Sequence, residues 1–384
     1  MDAYLTAVSA FLPGNPVGND EIDLYLGPMD RISARTRRII LANNGIASRY
    51  YAVDPATGLA THTNAQLAAE AVRRLRGWDP VAPLRFDCLC CGTSSPDQLL
   101  PGHASMVHGE LGAAPCEAVT TAGICLTGIT ALKYGAMAVA LGLAERAVTT
   151  GSELASSFMR SDFFGRMSGT AGNGGLGEDE HPAFSFEANF LRWMLSDGAG
   201  ALLIEKQPTG PTSLHIEWIE ISSQAHRLEA CMYAGCLKQE DGTLTGWREL
   251  ARQGVPMAGG IFTIKQDARL LNLEVLPALV GCSLPPIIEK YGLKPDDIDW
   301  FLPHYSSEYF RDPLDQQLRD INFAIPQERW FTNLASKGNT GSASFYIMLE
   351  ELVASGRLRS GERLLCLIPE SGRFSVGYVL LRVV

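Results

Sequence analysis

Apolar residues along this chain alternate between stretches with a helical rhythm and short continuous runs, the pattern of an α/β protein. Asn64 to Arg76 has apolar positions at helical spacing among strong helix formers, and after Gly77, Trp78 and Pro80 the run Phe86 to Cys91 predicts a buried strand. Leu126 to Leu143 is apolar nearly all round, as expected of a helix buried on every side. Val148 to Gly151 predicts the end of a central strand, and Asp197 to Ile204 a second strand rich in glycine. Between Ser156 and Asn189 the residues are mostly Gly, Ser, Phe and acids, which is loop chemistry, and a loop of that length inside a compact domain is commonly functional.

A turn-rich segment, Lys206 to Pro211, closes this first half, and a fresh strand, Leu214 to Ile221, opens the second. The expected division is therefore residues 1–210 and 211–384. Arg227 to Gly260 has poor periodicity and reads as an insertion over a site. Asp267 to Tyr291 is largely helical, and Pro295 to Asp299 leads into a short strand, Trp300 to Leu302. That strand runs into Pro303, His304 and Tyr305, so His304 stands just past a carboxyl strand end, where α/β proteins commonly keep reactive groups.

The two halves repeat one another. Cys125, Leu126, Thr127 and Gly128 open the long apolar helix, followed by Glu145-Arg146, a strand, and Gly151-Ser152-Glu153. Asn339, Thr340, Gly341 and Ser342 open a second helix, followed by Glu362-Arg363, the strand Leu364 to Ile368, and Glu370-Ser371-Gly372. Each copy closes on a glycine-bearing strand, the second being Ser375 to Leu381. A thiol at one helix start and an amide at the other predict two halves that meet around a single active site.

Composition narrows the function classes. The chain has 384 residues, 46% of them hydrophobic and 19% charged, an ordinary globular balance with room for one large or two ordinary domains. A formal charge of −10 argues against a general nucleic-acid binder, because neutralising phosphates takes a basic surface. The first residues carry no basic segment followed by an apolar core, and no run reads as a membrane span, so a cytoplasmic location is the default expectation. Cys231 and Cys236 lack the paired C-x-x-C spacing of a zinc knuckle, the odd total of nine cysteines fits reduced thiols, and no metal site is expected. Cys88, Cys90 and Cys91 read as strand filling. The histidines other than His304, namely His62, His103, His108, His181, His215 and His226, are assigned to surfaces or loops.

Gly92-Thr93-Ser94-Ser95-Pro96-Asp97, the Cys125 helix start, Asp197-Gly198-Ala199-Gly200-Ala201, Pro303-His304, Gly338-Asn339-Thr340 and Ser371 to Gly377 occur in the order seen in β-ketoacyl-acyl-carrier-protein synthase III. The chain resembles that family over nearly its whole length. The resemblance implies the thiolase fold, with two pseudo-symmetric halves in a five-layered α/β/α/β/α arrangement, and a homodimer. It makes Cys125 the nucleophile that takes an acyl group from a thioester, a role helped by the start of a helix, where a thiolate is favoured. His304 and Asn339 would donate hydrogen bonds to the thioester oxygen of a second substrate as it loses carbon dioxide. Gly372 would join the backbone N–H of Cys125 in an oxyanion hole. Gly198 and Gly200 read as packing residues. An inert buried cysteine and a plain turn glycine are the simpler alternatives for Cys125 and Gly372.

Asn339 suits enolate formation, whereas a carboxylate there would suit deprotonating an alcohol. Pro369-Glu370-Ser371-Gly372 lacks the second reactive cysteine of degradative thiolases. The chain also departs from the ordinary synthase III pattern: Cys125-Leu126-Thr127-Gly128 displaces a glycine, Asn43 to Arg49 lacks two of the family's arginines, and Ser371-Gly372-Arg373 replaces a triple glycine. These departures, with Gly123 to Tyr134, look more like synthases of the cyclohexanedione precursors of dialkylresorcinols and stilbenes. The expected substrates are acyl-carrier-protein or coenzyme A thioesters, with no other cofactor. Arg311 and Arg319, on a helix after His304, are candidates for receiving an acidic carrier protein, with a solvated helix face as the plainer alternative. A housekeeping initiation synthase, an acyltransferase to oxygen or nitrogen, and a silent heterodimer partner remain open.

Overall fold

The computed structural model describes residues 2–28, 34–79, 84–163, 186–210, 212–257 and 260–384. Its framework is nine strands: β1 Tyr4–Phe11, β2 Cys88–Thr93, β3 Glu117–Ala122, β4 Arg146–Glu153, β5 Gly198–Glu205, β6 Leu214–Ser223, β7 Trp300–Pro303, β8 Arg363–Glu370 and β9 Ser375–Val383. They form one mixed sheet in the order β7-β8-β9-β6-β1-β5-β4-β2-β3.

The order reveals the repeat in three dimensions. In the first set β2 and β4 are parallel, β5 runs antiparallel to β4, and β1 antiparallel to β5. In the second, β7 and β8 are parallel, β9 is antiparallel to β8, and β6 antiparallel to β9. β3, parallel to β2, has no full counterpart; a single parallel bridge from Phe301 to Trp330 stands in its place. The two sets touch through β1 and β6 only at Tyr4–His215 and Leu5–Leu214.

Six helices matter for the site: α1 Asn64–Arg73, α2 Thr127–Ala140, α3 Ala268–Leu276, α4 Leu284–Tyr291, α5 Arg311–Asp320 and α6 Ser344–Ala354. Thr63 starts α1 with a reciprocal cap, its hydroxyl accepting from Gln66 N while Gln66 Oε1 accepts from Thr63 N. α2 and α6, the two repeat helices, share one apolar cluster that includes Cys88 and Cys90 of β2 and Cys366 of β8. Leu89 and Cys91, the alternate residues of β2, face a second cluster with α1. A third cluster gathers α3, α4 and α5 on β8 and β9. Layers of helices thus alternate with sheet, as the thiolase fold requires.

Glycine allows the two halves to touch at the helix starts. A methyl on Gly128 would lie 2.4 Å from Ser342 O, and one on Gly151 2.3 Å from the same atom. Tyr346 Oη bonds Gly128 O at 2.8 Å, fastening α6 to α2. Gly200, read as a packing residue, faces Tyr346 Cβ at a distance where no side chain fits.

Several expectations change. Residues 164–185 of the expected loop lie outside the described residues, as does His181, and the segment's two ends are helical, Ser156–Met159 and Phe186–Met194. The expected helix over 267–291 is present, α3 and α4 being joined through a wider helical stretch at Pro277–Cys282. By length and composition alone that stretch, Ala268–Tyr291, passes as a membrane span. It instead packs Leu271, Val275, Leu279 and Leu284 into the core. His103 is not on the surface: it opens a helix at His103–Leu111, is 1% exposed, and its Nε2 lies 3.0 Å from Ser152 Oγ. His215 lies on β6.

Candidate functional site

Cys125 follows β3 and precedes α2 in a tight elbow. Thr127 Oγ1 bonds Ile124 O at 2.9 Å, and Thr121 Oγ1 bonds Thr127 O at 2.8 Å, so hydroxyls on both sides hold the turn. His304 follows β7, its N–H bonded to Leu367 O at 2.8 Å. Asn339 is fixed from three directions. Its N–H donates to Met194 O, its C=O accepts from Ser196 N, both at 2.9 Å, and its Oδ1 accepts from Gly341 N at 2.9 Å. With Oδ1 engaged, the Nδ2 donors are the part of the amide left for a ligand.

Cys125, His304 and Asn339 line one cavity with about 1040 Å³ of empty space counted to its mouth. Its deep wall is apolar, with Phe158, Leu191, Met194, Leu271, Val275 and Val280. Met232, Ile264 and Gln266 close one side; Met232 is the lining residue from the segment read as an insertion, 227–260, and the other two lie just beyond it. Cys231 N and Met232 N both donate to Gly372 O, at 2.8 and 3.3 Å, tying this cover to the turn that carries Gly372. Gly372 faces the elbow, since a methyl there would lie 2.9 Å from Ile124 Cδ1. Ser371, next to it, lines the cavity.

The electrostatics differ from the helix-start expectation. Burial pushes the Cys125 thiol well above its ordinary value, and the nearby carboxylates of Glu153 and Glu370 push it further. The elbow amides of Ile124 and Leu126 are not free to favour a thiolate, because both donate to Glu370 Oε2, at 2.8 and 3.2 Å. His304 is 5% exposed, and burial pushes its pKa down to about 4, so the imidazole is neutral. A neutral imidazole still offers one N–H donor and one acceptor nitrogen.

Sequence reasoning gave Glu153 and Glu370 no role, though both stand in the repeat. Glu153 lines the cavity beside Ser94 and Ser95 and accepts from both their hydroxyls, at 2.6 and 2.7 Å. Burial pushes both glutamates above the usual carboxylate value. The missed signal was spacing, for Arg146–Glu153 and Arg363–Glu370 are segments of 8 residues, each opening on Arg and closing on Glu.

The carrier-protein candidates separate. Arg311 is engaged by Gln327 Oε1, Tyr305 Oη and Glu308 Oε1, and its guanidinium lies over Trp330. Arg319 points outward and pairs with Asp315 of its own helix at 2.9 Å. Arg49, the arginine kept from the family's N-terminal pattern, is fully buried and bonds Asn19 Oδ1 and Trp193 O.

Residues 288–382 match the family model for the 3-oxoacyl-[acyl-carrier-protein (ACP)] synthase III C terminal, the region that holds His304, Asn339 and Gly372. That part of the chain is similar to 3-oxoacyl-ACP synthase III. Over 370 residues it is 25% identical to beta-ketoacyl-[acyl-carrier-protein] synthase III 3 of Streptomyces coelicolor, covering 94% of this chain and 92% of that protein. It is 24% identical to the synthase III of Methylococcus capsulatus, covering 98% of each. Among solved structures of the same fold, a variant of Xanthomonas campestris OleA superposes with a TM-score of 0.73 at 19% identity, covering 100% of this chain and 98% of that one. AbyA1, described as a tetronic acid condensing enzyme, superposes at 0.72 with 20% identity and 99% of each chain covered. The chain therefore shares its fold with these proteins over nearly its whole length.

Proposed function

We propose that this chain condenses two acyl thioesters by forming a carbon–carbon bond through an acyl-Cys125 intermediate. The observation that carries this reading is the meeting of Cys125, His304 and Asn339 on one largely apolar cavity. Acyl transfer breaks the donor's C–S bond and joins its acyl carbon to Cys125 Sγ, while the thiol proton leaves with the departing thiol. The second thioester then loses carbon dioxide, and the N–H donors of His304 and Asn339 stabilise the negative charge that collects on its oxygen. Its carbon attacks the acyl group, and the Cys125 sulfur leaves and is reprotonated. Backbone donors at Cys125 and Gly372 serve both tetrahedral states. The electron count closes without a redox partner.

The finer reading is specialised lipid or secondary metabolism such as cyclohexanedione formation: there a β-ketoacyl thioester would become the nucleophile by losing a proton between its two carbonyls instead of carbon dioxide, its carbon would add to the double bond of an unsaturated acyl thioester, and ring closure onto that acyl carbon would expel its thiol with the proton. The apolar wall suits extended acyl chains, and the departures around Cys125 and Asn43 to Arg49 set the chain apart from the housekeeping pattern. Carrier-protein thioesters and a cytoplasmic place of work go with this reading, and Arg319 is the outward-facing candidate on α5 for an acidic carrier.

Intact-protein mass spectrometry with a panel of acyl thioesters tests the core of it. An adduct on the wild type that is lost in Cys125→Ala is expected, and pairing a β-ketoacyl with an unsaturated donor should yield a cyclic dione. No adduct with any donor would overturn the enzyme reading in favour of a silent partner. Product formation without loss of carbon dioxide from a malonyl-type donor would favour transfer to oxygen or nitrogen.

A further inference from the structure

Glu153 and Glu370 occupy matching places in the two halves. Each is the last residue of a strand that is parallel to one neighbour, β2 or β7, and antiparallel to the other, β5 or β9. Each carboxylate reaches out of its own half. Glu370, from the second half, takes the amides of Ile124 and Leu126 on either side of Cys125. Glu153, from the first half, takes Ser342 N at 3.1 Å, in the loop that Asn339 opens. A glycine makes room for the carboxylate in both loops. A methyl on Gly123 would lie 3.2 Å from Glu370 Oε2, and one on Gly341, whose φ is +52, would lie 2.8 Å from Glu153 Cγ.

We infer that Glu153 and Glu370 are reciprocal positioning residues, each closing the other half's catalytic loop onto the shared cavity. Neither is asked to touch the reacting atoms. Glu370 joins the elbow of one oxyanion donor, Cys125, to the turn of the other, Gly372, whose added methyl would lie 3.5 Å from Glu370 Oε1. A hole built from two halves works only if its donors are held in register before the charge develops. The same arrangement has an electrostatic consequence. The titratable groups around the Cys125 thiol are Glu153, Glu370, His304 and Tyr305; the two glutamates push the thiol pKa up, and His304 is neutral. The resting thiol stays protonated, and so does not react indiscriminately with electrophiles.

The inference deepens the proposed condensation and rests on it for its catalytic part only, since thiol alkylation requires no thioester. Glu370→Gln keeps an oxygen for the two amides and removes the charge. A fall of one unit in thiol pKa would raise the thiolate fraction tenfold and, after the loss of nucleophilicity, alkylation by iodoacetamide at pH 8 about threefold. Measured against Cys125→Ala to isolate this thiol, that rise is expected in Glu370→Gln and in Glu153→Gln, and a larger one in the double variant. Acyl loading should fall about tenfold or more in Glu370→Ala and be largely restored in Glu370→Gln. Unchanged alkylation in both Gln variants, or wild-type loading in Glu370→Ala, overturns the inference. If no thioester loads the wild type, the functional reading fails, and alkylation alone still decides whether the clamps act on the thiol.

Discussion

At the scale of single residues, the site is poised by burial more than by attraction. His304 and His103 both have pKa values pushed down to about 4 from an ordinary 6.5, with burial the first cause in each. A histidine held neutral in the fold takes up its proton more readily once unfolded, so between pH 6.5 and 4 the unfolded chain binds more protons and stability falls as pH falls. Acidifying from pH 7 to 5 should cost about 2 kcal/mol for each of the two. Urea unfolding at both pH values checks this: in His103→Gln, which keeps a donor for Ser152, the acid-induced loss should shrink by about that amount. An equal loss in wild type and variant would remove His103 from the account. Above about pH 7.5 neither histidine contributes an appreciable slope, and the raised Cys125 thiol remains the group to follow.

At the scale of elements, the meeting of α2 and α6 decides whether the two halves register. Gly128→Ala puts a methyl 2.4 Å from Ser342 O and 2.9 Å from Tyr346 Cε2, a backbone and ring that cannot both yield. Overpacking of this sort costs about 1–3 kcal/mol. Because Ser342 shares its loop with Asn339, condensation should suffer more than acyl loading on Cys125. Tyr346→Phe is the milder partner experiment. It loses the bonds to Gly128 O and Thr149 Oγ1, at 2.8 and 3.2 Å, for about 1 kcal/mol, and thermal unfolding midpoints should rank wild type, Tyr346→Phe, then Gly128→Ala. Most of these elements were legible in the sequence, because a buried strand such as β2 and a helix apolar all round such as α2 announce themselves by composition. Boundaries were less so. β4 extends back to Arg146 and on to Glu153, polar residues that apolarity alone does not claim for a strand. Likewise, the helix through Pro277 was legible, but not its widening at Pro277–Cys282.

At the scale of the whole molecule, the repeat was readable, and with it the pairing of Cys125 with Asn339. The crossing of the clamps was not, since a glutamate at a strand end looks the same whether it bonds its own half or the other. The edge of the sheet was equally silent. β3 pairs with β2 on one side only, and its residues Glu117, Ala118, Thr120 and Ala122 are exposed. An open edge strand is a template for pairing with another chain, and natural proteins seldom leave one unguarded. Leu99 and Leu100 are 68% and 83% exposed, an apolar cost with no return in an isolated chain. β3 also ends at Ala122, just before the elbow of Cys125, so a partner paired there would buttress the nucleophile from outside. A second copy of this chain, meeting β3 with β3 about a twofold axis, is the occupant that the homodimer implied by the resemblance would supply, because an isologous contact covers both edges at once. Sedimentation equilibrium should then give twice the 41.6 kDa of one chain. Ala118→Lys with Leu100→Lys places like charges across the axis and should shift the mass toward one chain without unfolding it. A wild type that stays monomeric at micromolar concentration would sink the dimer, and the exposed leucines would then need another cover.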